Sequence, residues 1–234
     1  MENGYGIAGK ARRFQRQRRT GNDGRRSFGA FDYRMGSFEN TNMVERKKYI
    51  EKVRLEPLDE GRFIHPYLMR FRWRGKERSW EVLQAHDSVA VLIWHREWER
   101  FLFVRQFRPA VYLHDGAGGM TLELCAGLVD KELPLEQIAA EEVEEECGFR
   151  IDPMSLKRIN SFFTSVGFAG SRQTLYYVEV EESMRIGPGG GIEGEEIDVV
   201  SLDRRESRKV MEDETIARTP GLLYALCWWF DREC

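Results

Sequence analysis

The chain has no long apolar run. None of its hydrophobic stretches reaches the roughly 18 residues that a membrane-spanning helix needs. Its first residues also lack the apolar core of a secretory signal. The sequence therefore predicts a cytoplasmic protein with no membrane partner.

Cysteine and histidine are scarce, with four residues of each, and neither type forms a cluster. No two cysteines are separated by only two residues, so neither a zinc site nor a disulfide framework is expected. The formal net charge of −3 is small, and nothing attracts the chain as a whole to nucleic acid. We expect no nucleic-acid partner.

Residues 1–43 contain few aliphatic side chains and many glycine, arginine, glutamine, asparagine and serine residues. This composition predicts a disordered basic tail. The tail could serve as a solvated extension, as an organelle-targeting segment or as an RNA-binding arm. Glu2 and Asp23 interrupt a transit-like composition, which favours the solvated extension.

Residues 44–85 have a strand-like pattern. The segments IEKVRLEPL, YLMRFRWRG and RSWEVLQ are separated by turn residues, with Gly61 in the first turn and Gly75 in the second. The pattern predicts a small N-terminal antiparallel β layer.

Residues 86–234 are predicted to form the main domain. Two apolar strands, SVAVLIW (88–94) and RFLFVRQF (100–107), flank a charged turn and indicate a buried hairpin. Further strands are predicted at TLELCAGLV, RQTLYYVEV and IDVVSL, and helices over residues 134–147 and over GLLYALCWWF. Strands and helices mix without a regular alternation, so the predicted fold class is α+β with a mixed sheet.

Five glutamates fall within six positions of the first predicted helix. Like charges four residues apart on a helix destabilise it by about 0.2–0.5 kcal/mol for each pair. At about 100° per residue, Glu142 and Glu146 fall on the face that carries the apolar side chains. Glu141 and Glu144 fall outside that face, and Glu145 lies at its border.

Two carboxylates that face the interior must be neutralised, paired or bound to a cation, because an unpaired buried charge is costly. No lysine or arginine lies on the predicted helix to pair them. Hard divalent cations prefer oxygen ligands. Glu142 and Glu146 are therefore predicted to bind Mg²⁺, with Mn²⁺ as the alternative.

The residues around these acids resemble a known family. GLVDKELPLEQIAAEEVEEECGF (127–149) is similar to the Nudix box, and the matching places are Gly127, Glu142, Val143, Glu145, Glu146, Gly148 and Phe149. The resemblance implies the Nudix fold, an α/β/α sandwich with a mixed sheet. It assigns Glu142 and Glu146 to the metal, together with the main-chain carbonyl of Ala126.

Two places depart from the box. Leu133 stands where the family has its first glutamate, and Glu141 stands where it has arginine. In the family these two residues mainly hold the loop and the helix together. Because both are replaced, we expect the loop to be less well supported, and we expect a smaller effect on metal binding. It also leaves open a nucleotide-binding module with little or no catalysis.

The similarity extends over residues 79–230, through SWEVLQAHDSVAVLIW, VRQFRPAVY, ELCAGLVD and SVGFAGSRQTLYYVEV. These segments resemble the UDP-sugar pyrophosphatase branch of the Nudix family, which is related to ADP-ribose pyrophosphatases. A pyrophosphate is matched by the forked side chain of arginine. The predicted substrate-binding residues are Arg105, Arg108 and Arg172, together with Glu123 and Gln173.

Hydrolysis also needs a base that takes a proton from water. The glycine-rich loop 187–196 carries glutamates on a segment that we expect to move. In ADP-ribose hydrolases a glutamate of the matching loop closes on the metals, which makes Glu195 the first catalytic candidate and Glu193 the second. Glu145 of the box is a further catalytic candidate.

These predictions describe a Mg²⁺-dependent enzyme that hydrolyses a nucleoside diphosphate sugar, with UDP-glucose giving UMP and glucose 1-phosphate. The alternatives are hydrolysis of ADP-ribose to AMP and ribose 5-phosphate, and a nucleotide-binding module. The resemblance also implies a homodimer formed through the layer at 44–85. Trp73 and Trp80 are predicted to line its interface.

Overall fold

The computed structural model describes residues 54, 61, 64–115, 118–192 and 194–232. The predicted tail lies outside these residues, and so does the first predicted strand apart from Arg54. The elements of the described part are β1 (His65–Trp73), β2 (Lys76–Gln84), β3 (Ser88–His95), β4 (Arg100–Phe107), α1 (Pro109–Asp115), β5 (Met120–Glu123), β6 (Cys125–Leu128), α2 (Leu135–Cys147), β7 (Lys157–Phe163), β8 (Arg172–Val180), β9 (Ile197–Asp203), α3 (Arg204–Glu212) and α4 (Pro220–Arg232).

Strands β1 and β2 form a two-stranded antiparallel sheet of their own. Positive φ values of 50° at Arg74 and 76° at Gly75 allow the tight turn between them. β2 also contacts the loop that follows β7, because the indole N–H of Trp80 donates to the carbonyl of Gly167 at 2.8 Å. The predicted antiparallel layer is confirmed for these two strands.

The other seven strands form one mixed sheet, ordered β5-β4-β3-β8-β7, with β6 paired to β3 and β9 paired to β4. β3 and β8 are parallel along their whole length, whereas the remaining pairs are antiparallel. The predicted mixed sheet and the α+β class are confirmed.

The predicted hairpin of β3 and β4 is paired only next to its turn, where Ile93 faces Leu102 and His95 faces Arg100. Beyond the turn, β3 pairs with β6 and β4 pairs with β5. The segment TLELCAGLV was predicted as one strand, and this is wrong: it divides at Leu124 into β5 and β6. Because β3 and β4 diverge beyond their turn, the segment pairs first with β4, as β5, and then with β3, as β6.

Alternating residues of β3 fill two cores, one on each face of the sheet. Ala90, Leu92 and Trp94 pack with α3 and α4, and Val89, Val91 and Ile93 pack with α2. The result is an α/β/α sandwich.

The predicted terminal helix is α4, which packs on the first of these cores through Leu222, Leu226, Trp229 and Phe230, all of them buried. Helix α3 was not predicted. It begins with a capping box, in which Asp203 accepts from the amide of Glu206 and the Glu206 carboxylate accepts from the amide of Asp203. Among the described helices, none has the length and apolar character needed to cross a membrane.

Candidate active site

Helix α2 presents its glutamates as the sequence predicts. It begins after Pro134, which acts as N-cap, and ends at Gly148, whose φ of 79° is left-handed. Glu146 is buried, with 5% of its surface exposed. Its carboxylate accepts a hydrogen bond of 2.9 Å from the amide of Ala126 on β6. The predicted main-chain ligand and the predicted metal-binding acid are therefore direct neighbours.

Glu142 lies one helical turn before Glu146 and also faces β6. Its carboxylate occupies the space that a Cβ atom on Gly127 would fill. Any side chain at position 127 would therefore displace it. This contact gives a physical reason for glycine at the first place of the Nudix box.

Burial and like charge act on both acids. Desolvation raises the pKa of Glu142 to about 7, with further contributions from the charges of Glu145 and Glu195. Desolvation also raises the pKa of Glu146 to about 7, although the Ala126 amide opposes the shift, and Glu142 and Glu195 add to it. Near neutral pH the two carboxyl groups are partly ionised, and a bound cation would stabilise their negative charge.

The outward glutamates of α2 are paired by residues outside the helix. Glu144 accepts two hydrogen bonds of 2.9 Å from Arg150, and Glu141 accepts one of 2.7 Å from Lys131. Within the described part of the chain, no arginine or lysine forms an ion pair with Glu142 or Glu146. The helix thus divides into a face paired by protein cations and a face without such partners.

The loop before α2 keeps one side-chain connection to the helix although both box residues are replaced, and the expected weaker support of the loop stays a prediction. Lys131 belongs to that loop and Glu141 to the helix, so their ion pair joins the two segments. The cation now comes from the loop and the anion from the helix, the reverse of the family pattern. Sequence reasoning missed this because Lys131 does not occupy a box place.

The donor set fits a hard divalent cation. Glu142, Glu146 and the carbonyl of Ala126 are all oxygen donors, and Mg²⁺ is commonly held by one or two carboxylates, with water and substrate phosphate completing its shell. No three His, Cys, Asp or Glu side chains of the described residues are grouped closely enough to hold a metal ion by themselves. The fit rests on the two carboxylates, and the absence of a side chain at Gly127 leaves room for that of Glu142.

The glycine-rich loop is anchored to the end of α2. The amide of Gly190 donates to the carbonyl of Glu146 at 2.8 Å, and that of Gly191 donates to the carbonyl of Glu145 at 3.1 Å. Gly148 accepts from the amides of Ile186 and Gly187. These bonds satisfy carbonyls that a helix end leaves without partners. The first half of the loop is therefore hydrogen-bonded to the end of the helix, and the expected movement of the loop stays a prediction.

Glu195 follows this anchored half. Its carboxylate accepts a 3.2 Å hydrogen bond from the amide of Ile192, and its charge acts on Glu142, Glu146 and Arg108. The first catalytic candidate therefore lies within electrostatic range of the paired acids. Glu193 lies outside the described residues.

Arg108 and Glu123, two of the predicted substrate-binding residues, bind each other. Nε and Nη2 of Arg108 donate to the two carboxylate oxygens of Glu123 at 2.8 and 2.9 Å, and Thr121 donates to Glu123 at 2.6 Å. Burial alone would raise the pKa of Glu123, but these bonds and the Arg108 charge hold that pKa below its ordinary value. The charge of Arg108 also reaches Glu146 and Glu195.

The other two arginines have different surroundings. Arg105 forms an ion pair of 3.1 Å with Asp198 on β9. The guanidinium of Arg172 lies 4.4 Å from the ring centre of Phe163, and its amide donates to Asp87. None of these contacts links Arg172 to the acids of α2.

A small cleft is linked to the acids through Ala126, which lines it and whose amide donates to Glu146. Its lining consists of Ala90, Glu123, Leu124, Ala126, Gln173 and Thr219. Three of these, Glu123, Ala126 and Gln173, were predicted as site residues. Thr219 was missed, because nothing in its local sequence indicates that the start of α4 lies beside β5 and β6.

An α/β/α sandwich that carries this glutamate-rich helix, closed by a left-handed glycine, is the architecture of a Nudix hydrolase. No family model matches the chain. It is 35% identical to the uridine diphosphate glucose pyrophosphatase NUDT14 of Bos taurus over 210 residues, 76% of this chain and 95% of that protein. It is 34% identical to the Mus musculus protein of the same name over 198 residues, 73% and 89% of the two chains.

A bacterial protein is also similar. The GDP-mannose pyrophosphatase of Cronobacter sakazakii is 32% identical over 148 residues, which are 62% of this chain and 76% of that protein. From these similarities, the chain belongs to the Nudix hydrolase family.

Proposed function

We propose that this Nudix hydrolase splits the pyrophosphate link of a nucleoside diphosphate sugar in a Mg²⁺-dependent reaction, and that UDP-glucose gives UMP and glucose 1-phosphate. The observation that carries the proposal is the pair of inward carboxylates, Glu142 and Glu146, with no protein cation bound to them in the described part of the chain. The names of the two mammalian relatives support UDP-glucose.

The metal is assigned to Glu142, Glu146 and the Ala126 carbonyl, with Mn²⁺ as the alternative to Mg²⁺. When bound, such a cation neutralises phosphate charge and makes a nearby water molecule more acidic. The carboxylates must be ionised to act as ligands, so their raised pKa values couple metal binding to proton release.

The side chains divide the remaining work. Arg108 already uses Nε and Nη2 on Glu123, and the side chain is 46% exposed, so its Nη1 can donate to a phosphate oxygen. Arg105 and Arg172 are assigned to the same substrate, with Arg105 exchanging part of its contact with Asp198. Glu195 accepts the proton of the attacking water, and Glu145 adds negative charge beside Glu142.

The test is a substrate panel. The protein is incubated with Mg²⁺ and UDP-glucose, GDP-mannose or ADP-ribose, and the nucleoside monophosphate and sugar phosphate are measured. We expect UDP-glucose to have the highest kcat/KM. Turnover of ADP-ribose in preference to it would favour the ADP-ribose alternative, and binding without turnover of any nucleotide would favour a binding module.

The panel is repeated with Glu146→Gln, and with Glu144→Gln as the matched control on the outward face of the same helix. Glu144 is paired with Arg150 at the surface, so its replacement should leave turnover near the wild-type value. Glu146→Gln should abolish turnover while the far-ultraviolet circular dichroism spectrum stays unchanged. Equal activity of the two variants would contradict the assignment.

We also propose that β1 and β2 form a homodimer surface. Five large apolar side chains on these strands are more than half exposed, Tyr67, Leu68, Met69, Trp73 and Trp80, and an isolated two-stranded sheet has little stability of its own.

Light scattering during gel filtration tests this surface. It should show a dimer for the wild type and a monomer for the double variant Trp73→Ser and Trp80→Ser. Met154→Ser, at a side chain 88% exposed elsewhere, is the control. A wild-type monomer would overturn this.

A further inference from the structure

The cleft linked to the paired acids through Ala126 lies where the chain crosses from β5 to β6. β5 pairs with β4, and β6 pairs with β3. The connecting residue Leu124 and its neighbours Glu123 and Ala126 line one side, and Gln173 and Thr219 complete it. The cleft is therefore a consequence of the separation of β3 and β4.

The cleft shares two residues, Ala126 and Glu123, with the site that the proposed function assigns to the pyrophosphate. Ala126 lines the cleft, and its amide donates to Glu146. Glu123 also lines it and is held in place by Arg108. A substrate with its pyrophosphate at Glu146 and Arg108 would extend one of its two halves into this cleft.

The polar groups of the cleft can bind a neutral ligand. The hydroxyl oxygen of Thr219 accepts from the amide of Leu222 at 3.3 Å, which leaves the hydroxyl proton as a donor. The amide nitrogen of Gln173 has a long contact of 3.4 Å with the Ser88 hydroxyl. Each of these two side chains can donate and accept, as sugar hydroxyls do.

The lining favours a sugar over a nucleobase. Bases are commonly held by stacking on aromatic rings, and none of the six residues that line the described cleft is aromatic. Three of the lining residues, Ala90, Leu124 and Ala126, are small or aliphatic. We propose that this cleft is the sugar subsite, in which Thr219 and Gln173 hydrogen-bond the hydroxyls of the hexose, and this rests on the proposed function.

Gly221 gives an independent way to disturb the cleft. A Cβ atom at this position would collide with the side-chain oxygen of Gln173. Gly221 lies within α4, where alanine is more favourable than glycine. Gly221→Ala should therefore displace the Gln173 amide without changing any polar group.

The test compares two substrate series by kcat/KM. The first keeps UDP and varies the sugar, with UDP-glucose, UDP-galactose and UDP-xylose. The second keeps glucose and varies the base, with UDP-glucose, ADP-glucose and GDP-glucose. The variants are Thr219→Val and Gly221→Ala. Their controls are Thr219→Ser, which keeps the hydroxyl, and Gly167→Ala, where a Cβ meets nothing within 4 Å.

We expect Thr219→Val to lower kcat/KM for UDP-glucose about fivefold to tenfold, the effect of one lost hydrogen bond, and to reduce the discrimination among the three sugars. All three bases should be affected by the same factor. Gly221→Ala should act in the same direction, and both controls should resemble the wild type. If Thr219→Val does not fold, the comparison of Gly221→Ala with Gly167→Ala decides.

Two results would overturn the sugar subsite and leave the proposed function intact. One is an active wild type whose sugar discrimination is unchanged in the variants, and the other is a change confined to the base series, which would assign the cleft to the nucleobase. A wild type that hydrolyses none of these nucleotides would refute the proposed function and the sugar subsite with it.

Discussion

The ammonium group of Lys131 lies 2.7 Å from the carboxylate of Glu141. This ion pair joins the loop of the Nudix box to its helix at the place where the family pattern has a glutamate in the loop and an arginine in the helix. The two side chains are 42% and 32% exposed, and ion pairs at the surface contribute only about 0–1 kcal/mol to stability. We propose that its role is to position the loop.

Charge reversal tests that role. Lys131→Glu or Glu141→Lys alone places like charges together, so each should lower kcat severalfold with a small change in melting temperature. The double exchange should restore kcat. The matched pair is Glu144 and Arg150 on the outward face of the same helix, where single reversals should leave kcat unchanged. A double exchange no better than the single variants would refute the positioning role.

The anchored loop gives a second prediction. A Cβ atom on Gly189 would collide with the carbonyl of Glu146, and its φ of 71° is unfavourable for alanine. Gly189→Ala should loosen the loop that carries Glu195 and lower kcat, whereas Gly187→Ala, with nothing within 4 Å of the added atom, should have little effect. Steady-state kinetics on both variants check this, and equal kcat values would show that the anchor is unimportant.

Glu195 and Glu196 are adjacent in sequence, and both are exposed. Of these two residues, only Glu195 is among the causes of the raised pKa values of Glu142 and Glu146. Loss of a general base typically costs about 100-fold or more in rate, so Glu195→Gln should lower kcat by that order and Glu196→Gln should not. Similar losses in the two variants would assign the base to another residue.

The pH dependence of stability follows from the same acids. The pKa values of Glu142 and Glu146 are about 7 in the folded protein against an ordinary 4.5. The native state then binds more protons than the unfolded state between these values, so its stability falls as pH rises through this range. In EDTA the melting temperature should therefore decrease from pH 5.5 to pH 8.

Comparison variants isolate that contribution. Glu142→Gln combined with Glu146→Gln should flatten the decrease measured in EDTA, because neither residue can then ionise. Added Mg²⁺ should raise the wild-type melting temperature more at pH 8 than at pH 5.5, since the cation binds the ionised pair. If the melting temperatures of the wild type and the double variant had the same dependence on pH in EDTA, this would contradict the raised pKa values.

Local signals were sufficient for several elements. The predicted strand RQTLYYVEV is β8, and a proline and a glycine mark the ends of α2. Helical spacing alone identified Glu146 as inward. Helix α3 had a local signal that was not used, since Asp203 is followed three residues later by Glu206.

The features that were missed depend on contacts between distant segments. The division at Leu124 follows from the pairing of β5 and β6 with two different strands. The bonds of Gly190 and Gly191 to the end of α2 join residues more than 40 positions apart. Neither spacing nor residue type encodes such a meeting, so the cleft with Thr219 could be found only from the structure.

The central claim is that Glu142 and Glu146 hold a divalent cation. Its most direct test is the binding of Mn²⁺, followed by electron paramagnetic resonance, to the wild type, to Glu146→Gln and to Glu144→Gln, each with and without UDP. We predict that the wild type and Glu144→Gln bind Mn²⁺, more tightly with the nucleotide, and that Glu146→Gln loses this binding. Unchanged Mn²⁺ affinity in Glu146→Gln, or no binding by the wild type in the presence of UDP, would contradict the account.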